Sequence, residues 1–153
     1  MVEPARIGVN VEMTTPPPAD TGEIVEFLNE LLEAERAGTR VALDSAREQA
    51  GGRFADLLEH IRHDEARWCA MLLRHITRLS GQASPRMGAF HGKAMAVEGL
   101  EARLAFLNRG QGWVVRKLGA LLPRVRDDRL HADLRAMLAS HEANIARAAA
   151  LTP

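Results

Sequence analysis

Glu35, Glu65, Gln111 and His141 each interrupt an apolar helical stripe, and side chains of these types hold metal ions or carry protons. The first stripe reads Ile24, Leu28, Leu31, Glu35, Gly38, Ala42, and the second Phe54, Leu58, Ile61, Glu65, Trp68, Leu72. The third reads Val97, Leu100, Leu104, Leu107, Gln111, Val114, Leu118, Leu121, and the fourth Leu130, Leu134, Met137, His141, Ile145, Ala148. Steps of three and four keep all members of a stripe on one helical face, so each polar member falls on the buried side. An unpaired buried carboxylate is heavily penalised or gives up its charge, so this set needs partners. A divalent metal is one solution, with oxygen from Glu35 and Glu65, nitrogen from His141, and Gln111 orienting a ligand or a bound water. A metal-free network is the other, with His141 protonated between the two glutamates and Gln111 completing it.

Four helices must carry these stripes. Between Ala19 and Thr152 the only prolines are Pro85 and Pro123, and Gly51-Gly52 cuts the first proline-free stretch. Proline inside a helix costs roughly 3 kcal/mol and paired glycines favour a stop, which leaves segments near 22–49, 53–80, 89–122 and 127–150. Asp20-Thr-Gly-Glu23 reads as a capping-box variant for the first helix, and Asp127 or Asp128 as the cap of the fourth. The connection from Gly81 to Gly88 is longer than the other two joints, so two antiparallel hairpins linked by a crossover are expected. Glu35 and Glu65 lie 30 residues apart about the Gly51-Gly52 turn, and Gln111 and His141 lie 30 apart about the joint from Pro123 to Asp128. All four should therefore share one depth, roughly 22 Å from the turns at the helical rise per residue. A shift of 76 residues superimposes Glu35 on Gln111 and Glu65 on His141, which suggests two related halves.

The chain has 153 residues, one domain's worth, with 25 Ala and 19 Leu and no Tyr, the usage of an all-α protein. Residues 22–153 are read as the helical domain. Residues 1–21 are read as an extended arm, with the alternation Val9-Asn10-Val11-Glu12-Met13 followed by Thr14-Thr15-Pro16-Pro17-Pro18. Twenty basic and twenty acidic residues give no global field for nucleic acid or an anionic membrane, and no apolar run is long enough for a span. The single cysteine, Cys69, forms no internal disulfide, and no secretory signal opens the chain, so a cytoplasmic location is expected. Cys69 itself is read as an inert, partly buried thiol.

Several residues lie off this pattern. Gly110 and Gly112 flank Gln111 within a helix, where each costs about 1 kcal/mol relative to Ala; close approach of another element, for which Trp68 is the candidate, or room for a small ligand would offset that. His60 and His63 miss the apolar stripe and are read as surface residues. Trp113, Phe90 and the arm's Val9, Val11 and Met13 have no evident place in the core, so a homodimer is expected.

The segment Leu28-Asn-Glu-Leu-Leu-Glu-Ala-Glu35 resembles the first-helix motif of bacterioferritins in the ferritin-like superfamily, whose last Glu is a metal ligand. Asp64-Glu-Ala-Arg-Trp-Cys-Ala-Met-Leu72, Leu107-Asn-Arg-Gly-Gln-Gly-Trp-Val-Val-Arg-Lys-Leu118 and Ser140-His-Glu-Ala-Asn-Ile145 are similar to a bacterial ferritin-like family of unknown function. The resemblance implies a ferritin-like four-helix bundle over about 22–150 and a metal-ligand role for Glu35. Di-iron members use Glu on the first and third helices and Glu-x-x-His on the second and fourth. This chain offers Glu65-Ala-Arg-Trp68, Leu138-Ala-Ser-His141 and Gln111 instead, which implies one iron or manganese ion rather than two unless Glu142 adds a ligand. The expected function is oxygen or peroxide handling at Glu35, Glu65 and His141, with Gln111 and Trp68 beside the ion and Trp68 limiting water. The alternative is a non-catalytic scaffold or oligomerisation protein that has lost the metal.

Overall fold

The structure, a computed structural model, describes residues 15–152, so Val9, Val11 and Met13 of the arm lie outside the described residues. Four long helices and one short one form it: α1 (Thr21–Glu48), α2 (Ala55–Arg78), α3 (Phe90–Met95), α4 (Leu100–Leu121) and α5 (Asp128–Leu151), with no strand among the described residues. The expected caps form where acidic side chains precede a stripe. Asp20 accepts from the Glu23 amide at 2.8 Å, and Asp127 rather than Asp128 accepts from the Leu130 amide at 3.0 Å. Each thereby satisfies one of the orphan N–H groups of a helix start. Pro123 ends α4 in a single 3-10 turn, Leu122–Arg124.

The third segment differs from its expected outline. Instead of one helix over 89–122 there are two, broken at Ala96–Gly99, where Gly99 adopts φ of 85°. That left-handed conformation is open to glycine at little cost and turns the chain into α4 with Gly99 as its N-cap, so Val97 falls in the break rather than in a continuous stripe. The buried Arg103 fixes the break by donating to Glu48 at 2.7 Å and to the carbonyls of Met95 and Val97.

Cross-links between helices give their directions. Arg103 near the start of α4 meets Glu48 at the end of α1, whereas Lys117 late in α4 pairs with Glu30 early in α1. His75 late in α2 meets Asp133 early in α5 at 2.7 Å, and Asn144 meets Asp64 at 3.1 Å. α1 packs on α2 and α4, and α5 packs on the same two helices. Every packed pair of long helices is thus antiparallel, with α1 diagonal to α5 and α2 diagonal to α4. The crossover climbs the outside of α1, through Asn29 and Gln82 at 2.8 Å, Glu33 and Ser84 at 2.5 Å, and Asp44 and His91 at 2.9 Å.

The apolar interior is divided in two. One part gathers Leu28, Leu31, Met71, Leu72, Leu118, Leu121, Leu130 and Leu134; the other gathers Val41, Leu57, Leu58, Ile61, Leu104, Leu107 and Ala148. On each long helix the residue between these two parts is the polar interruption of its stripe. Among the described residues no helix is long and apolar enough to cross a membrane.

Candidate metal centre

Glu35, Glu65, Gln111 and His141 are all buried, at 1 to 3% exposure, in the layer that separates the two apolar parts. One ligand atom from each of Glu35, Glu65 and His141 lies within 4.8 Å of the others. The expected common depth is therefore observed for these three, and Gln111 and Glu65 line one cavity. Glu35 and His141 meet along one diagonal of the helix array, with Nε2 2.8 Å from Oε1. His141 Nδ1 lies 2.9 Å from the Met137 carbonyl, which can only accept, so Nδ1 carries a proton. Nε2 is thereby left as the atom facing the carboxylates, the orientation that backbone carbonyls impose on metal-binding imidazoles.

Gly38, one turn after Glu35 on α1, makes room for Glu65. A Cβ at position 38 would lie 2.7 Å from the Glu65 carboxyl carbon and nearer still to both oxygens. In the sequence Gly38 stands only as a small stripe member, and its spacing of three from Glu35 is the signal that ties it to the site.

The ligand set is also unfinished as a hydrogen-bonding system. Oε2 of Glu35, Oε2 of Glu65 and both amide atoms of Gln111 are buried without a hydrogen-bond partner among the described residues. Burial pushes the Glu65 carboxyl well above the usual range, and the charges of Glu35 and Asp64 push it further. Burial alone would lower the His141 imidazolium, but the charge and hydrogen bond of Glu35 and the Met137 carbonyl together outweigh it and raise its pKa. Burial, with Glu35 and Glu65 adding to it, pushes the Cys69 thiol up to about 12, so it stays protonated near neutrality and is no nucleophile.

A pH dependence follows for the metal-free protein. The His141 contribution is fully present below its unfolded pKa and is lost as pH rises through its folded value. Glu65 keeps its proton in the folded chain above the pH at which the unfolded chain releases it. Both make the folded state bind more protons, so stability falls with rising pH, by about 1.4 kcal/mol per pH unit for each proton of difference. Urea unfolding in chelator should give lower stability at pH 8 than at pH 5.5; a rise across that interval would contradict this electrostatic account. The lowered carboxyls of Asp44, held by its hydrogen bond from His91, and Asp127, held by its hydrogen bond from Arg78, act in the opposite sense only at more acid pH.

Around the centre, Trp68 donates its indole N–H to Ser140 at 3.2 Å, and Ser140 and Asn144 each donate to Asp64 at 3.1 Å. These contacts join α2 to α5 through the chain neighbours of Glu65 and His141. Trp68 is accordingly a buried wall one turn from Glu65, with its polar atom engaged elsewhere. Asp64, Ser140 and Asn144 were not singled out from sequence, where they lie beside the stripes. Glu142 is exposed and outside the cluster. It follows His141 directly, and one residue turns the helix about 100°, away from the interior. His60 and His63 are exposed as expected, His60 within 3.2 Å of Asp64. His75, buried against Asp133 and Arg78, was not anticipated.

Of the two glycines flanking Gln111, Gly110 is explained by α3 rather than by Trp68, whereas Gly112 meets no other element. A Cβ on Gly110 would lie 2.6 Å from the Phe90 ring, which also stacks on Phe106 with centroids 5.2 Å apart. Phe90, expected to lack a place in the core, is partly buried and packs against the second apolar part, while Trp113 remains 40% exposed.

A family profile covers residues 22–150, from the start of α1 to nearly the end of α5. The chain belongs to this family, a Domain of unknown function (DUF6306). No curated protein and no solved structure matched the chain. Within this DUF6306 domain, the matched span contains all four polar interruptions and every residue that positions them.

Proposed function

We propose that this DUF6306 chain is a ferritin-like four-helix bundle that holds one transition metal, iron or manganese, between Glu35, Glu65 and His141, and that the centre serves oxygen or peroxide chemistry. The observation carrying this reading is the cluster of three buried ligand atoms within 4.8 Å, two of its carboxylate oxygens having no hydrogen-bond partner among the described residues. A cation would neutralise the glutamates and occupy those oxygens, and the donor set of two carboxylates and one imidazole suits iron(II) or manganese(II). The antiparallel array with its long crossover is compatible with the ferritin-like architecture.

When bound, such an ion supplies an open coordination position and, for iron, one-electron redox chemistry. The chain's own residues supply the rest. Met137 holds the imidazole proton on Nδ1, Gly38 admits the Glu65 carboxylate, and Trp68 with the aliphatic side chains limits water. Gln111 lines the same cavity as Glu65, and its amide is buried in the layer that holds the three ligands. A cytoplasmic homodimer is the assembly we propose, with the exposed Trp113 near its interface.

A second reading is favoured by the His141 to Glu35 contact at 2.8 Å, which already joins two members without a metal. On it, the protein is a scaffold with a buried hydrogen-bond network. Metal analysis and melting of untagged protein decide between the two. Free manganese(II) or iron(II) at 100 times its Kd should add about 2.7 kcal/mol. That is roughly 5 to 10 °C in melting temperature for a domain of this size. Identical curves with chelator and with metal, across a pH range where glutamate and neutral histidine both ligate, would leave the scaffold.

A further inference from the structure

We infer that the cavity between α1 and α4 is a binding site for a small, neutral, apolar organic molecule, held with its inner end against the Glu65 side chain. Its walls come from α1, α4 and the segment Met87–Phe90 that crosses over them. Glu65 also lines it, although Glu65 stands on α2, across the bundle from α4. The cavity therefore passes through the seam between α1 and α4 and ends at the polar layer. Exposure falls along it, from Glu30, Arg109 and Trp113 at the surface to the buried Gly38, Leu107 and Val114 inside.

Small residues shape this passage. Ala34 and Gly38 lie one turn apart on α1, and both line it. Gly38 seats the Glu65 carboxyl at the inner end, and Gly110 seats the Phe90 ring in the cover, since a Cβ at either position would clash with its neighbour. The volume, about 450 Å³, falls in the range of small-molecule sites. It is several times what dioxygen or peroxide would fill, a water's share of liquid being roughly 30 Å³. Phe90 and Phe106, stacked 5.2 Å apart, offer the ring faces that favour a flat or compact hydrocarbon body.

Charge selects a neutral occupant. The charged groups of the outer wall are already engaged: Glu30 pairs with Lys117, Glu33 accepts from Ser84, and the exposed Arg109 guanidinium lies 5.5 Å over the Phe106 ring. Both signs are present there, so an anion drawn by Arg109 is held only at the mouth. Farther in, an anion would meet Glu65. An ammonium would shed its water along an apolar wall to reach a carboxyl whose Oε2 is closed off. A neutral apolar molecule meets neither cost. Its role as the organic substrate of the centre rests on the metal proposed above, whereas its binding does not.

The test uses the full chain. Fluorobenzene, para-fluorobenzylamine and para-fluorobenzoate are titrated in chelator and followed by fluorine NMR. The Gly38 and Val114 amides and the Glu65 carboxyl, assigned from the loss of its carbon signal in Glu65→Met, are followed in parallel. Fluorobenzene should bind saturably, shift all three signals as it does so, and bind about tenfold more tightly than either ion, or better. Ala34→Phe, which extends a ring into the passage from α1, should abolish this binding while helicity is retained. The inference is overturned, with or without a metal, if fluorobenzene does not saturate, if either ion binds as tightly, or if binding leaves the Glu65 and Gly38 signals unmoved. In protein shown to carry manganese(II), the bound fluorine should relax faster than in chelator, and unchanged relaxation overturns the placement beside the centre. Failure of the metal reading shows separately, as identical melting curves with the chelator titrations unaffected. Should Ala34→Phe fail to fold, the Glu65 and Gly38 shifts and the wild-type series decide alone.

Discussion

His141→Ala should cost metal-free protein about 2 to 4 kcal/mol of stability and abolish any stabilisation by added manganese(II) or iron(II). The alanine removes the hydrogen bond to Glu35 Oε1 and leaves that carboxyl buried without its partner. It also deletes the only nitrogen donor in the cluster. The two losses are separable. Denaturant unfolding in chelator reads the first, and the shift of the melting temperature with metal reads the second. A mutant as stable as wild type would mean that the Glu35 to His141 contact contributes nothing to the fold. A mutant still stabilised by metal would remove His141 from the ligand set.

Glu65→Met should do the opposite to the metal-free fold, raising its stability by about 1 to 3 kcal/mol. Glu65 is 3% exposed, its Oε2 is unpartnered, and burial drives its carboxyl toward the neutral form. Methionine has nearly the same length and needs no hydrogen bond, so it fills the space beside Gly38 without the desolvation cost. The same substitution should eliminate metal-dependent stabilisation. A residue that weakens the resting fold while being required for a ligand is kept for that ligand, the usual trade of stability against function. If Glu65→Met instead destabilises as much as His141→Ala, Glu65 belongs to a structural network and the metal reading fails.

Much of this arrangement was legible because one physical signal, helical periodicity, determined both the helices and the exceptions within them. Leu28, Leu31 and Leu72 mark their buried faces by spacing alone, and the same spacing puts Glu35 and Glu65 on those faces. The antiparallel hairpins then fix depth, since residues equidistant from a turn lie opposite one another. What periodicity does not carry is the direction of a single side chain or the effect of one backbone angle. Gly99 turns the chain into α4 through its positive φ, yet the apolar pattern runs through it uninterrupted. Arg103 and His75 are buried because particular partners, Glu48 and Asp133, satisfy them, and those partners are distant in sequence. Glu142 was admitted as a ligand by its neighbourhood in the chain, but a helix separates neighbours by about 100°.

The diagonal arrangement of the polar layer also bears on how the chain is made. The first hairpin, α1 with α2, carries both glutamates, and the second, α4 with α5, carries Gln111 and His141. During synthesis the first hairpin emerges from the ribosome before its counterparts exist, with two carboxylates on the faces it must bury. Two such hairpins from neighbouring chains would bring four carboxylates together, so pairing like with like is electrostatically disfavoured. The second hairpin supplies the imidazole that relieves this conflict. Burial of the first hairpin's glutamates and docking of the second hairpin are therefore one event, since His141 reaches Glu35 only when the two halves meet.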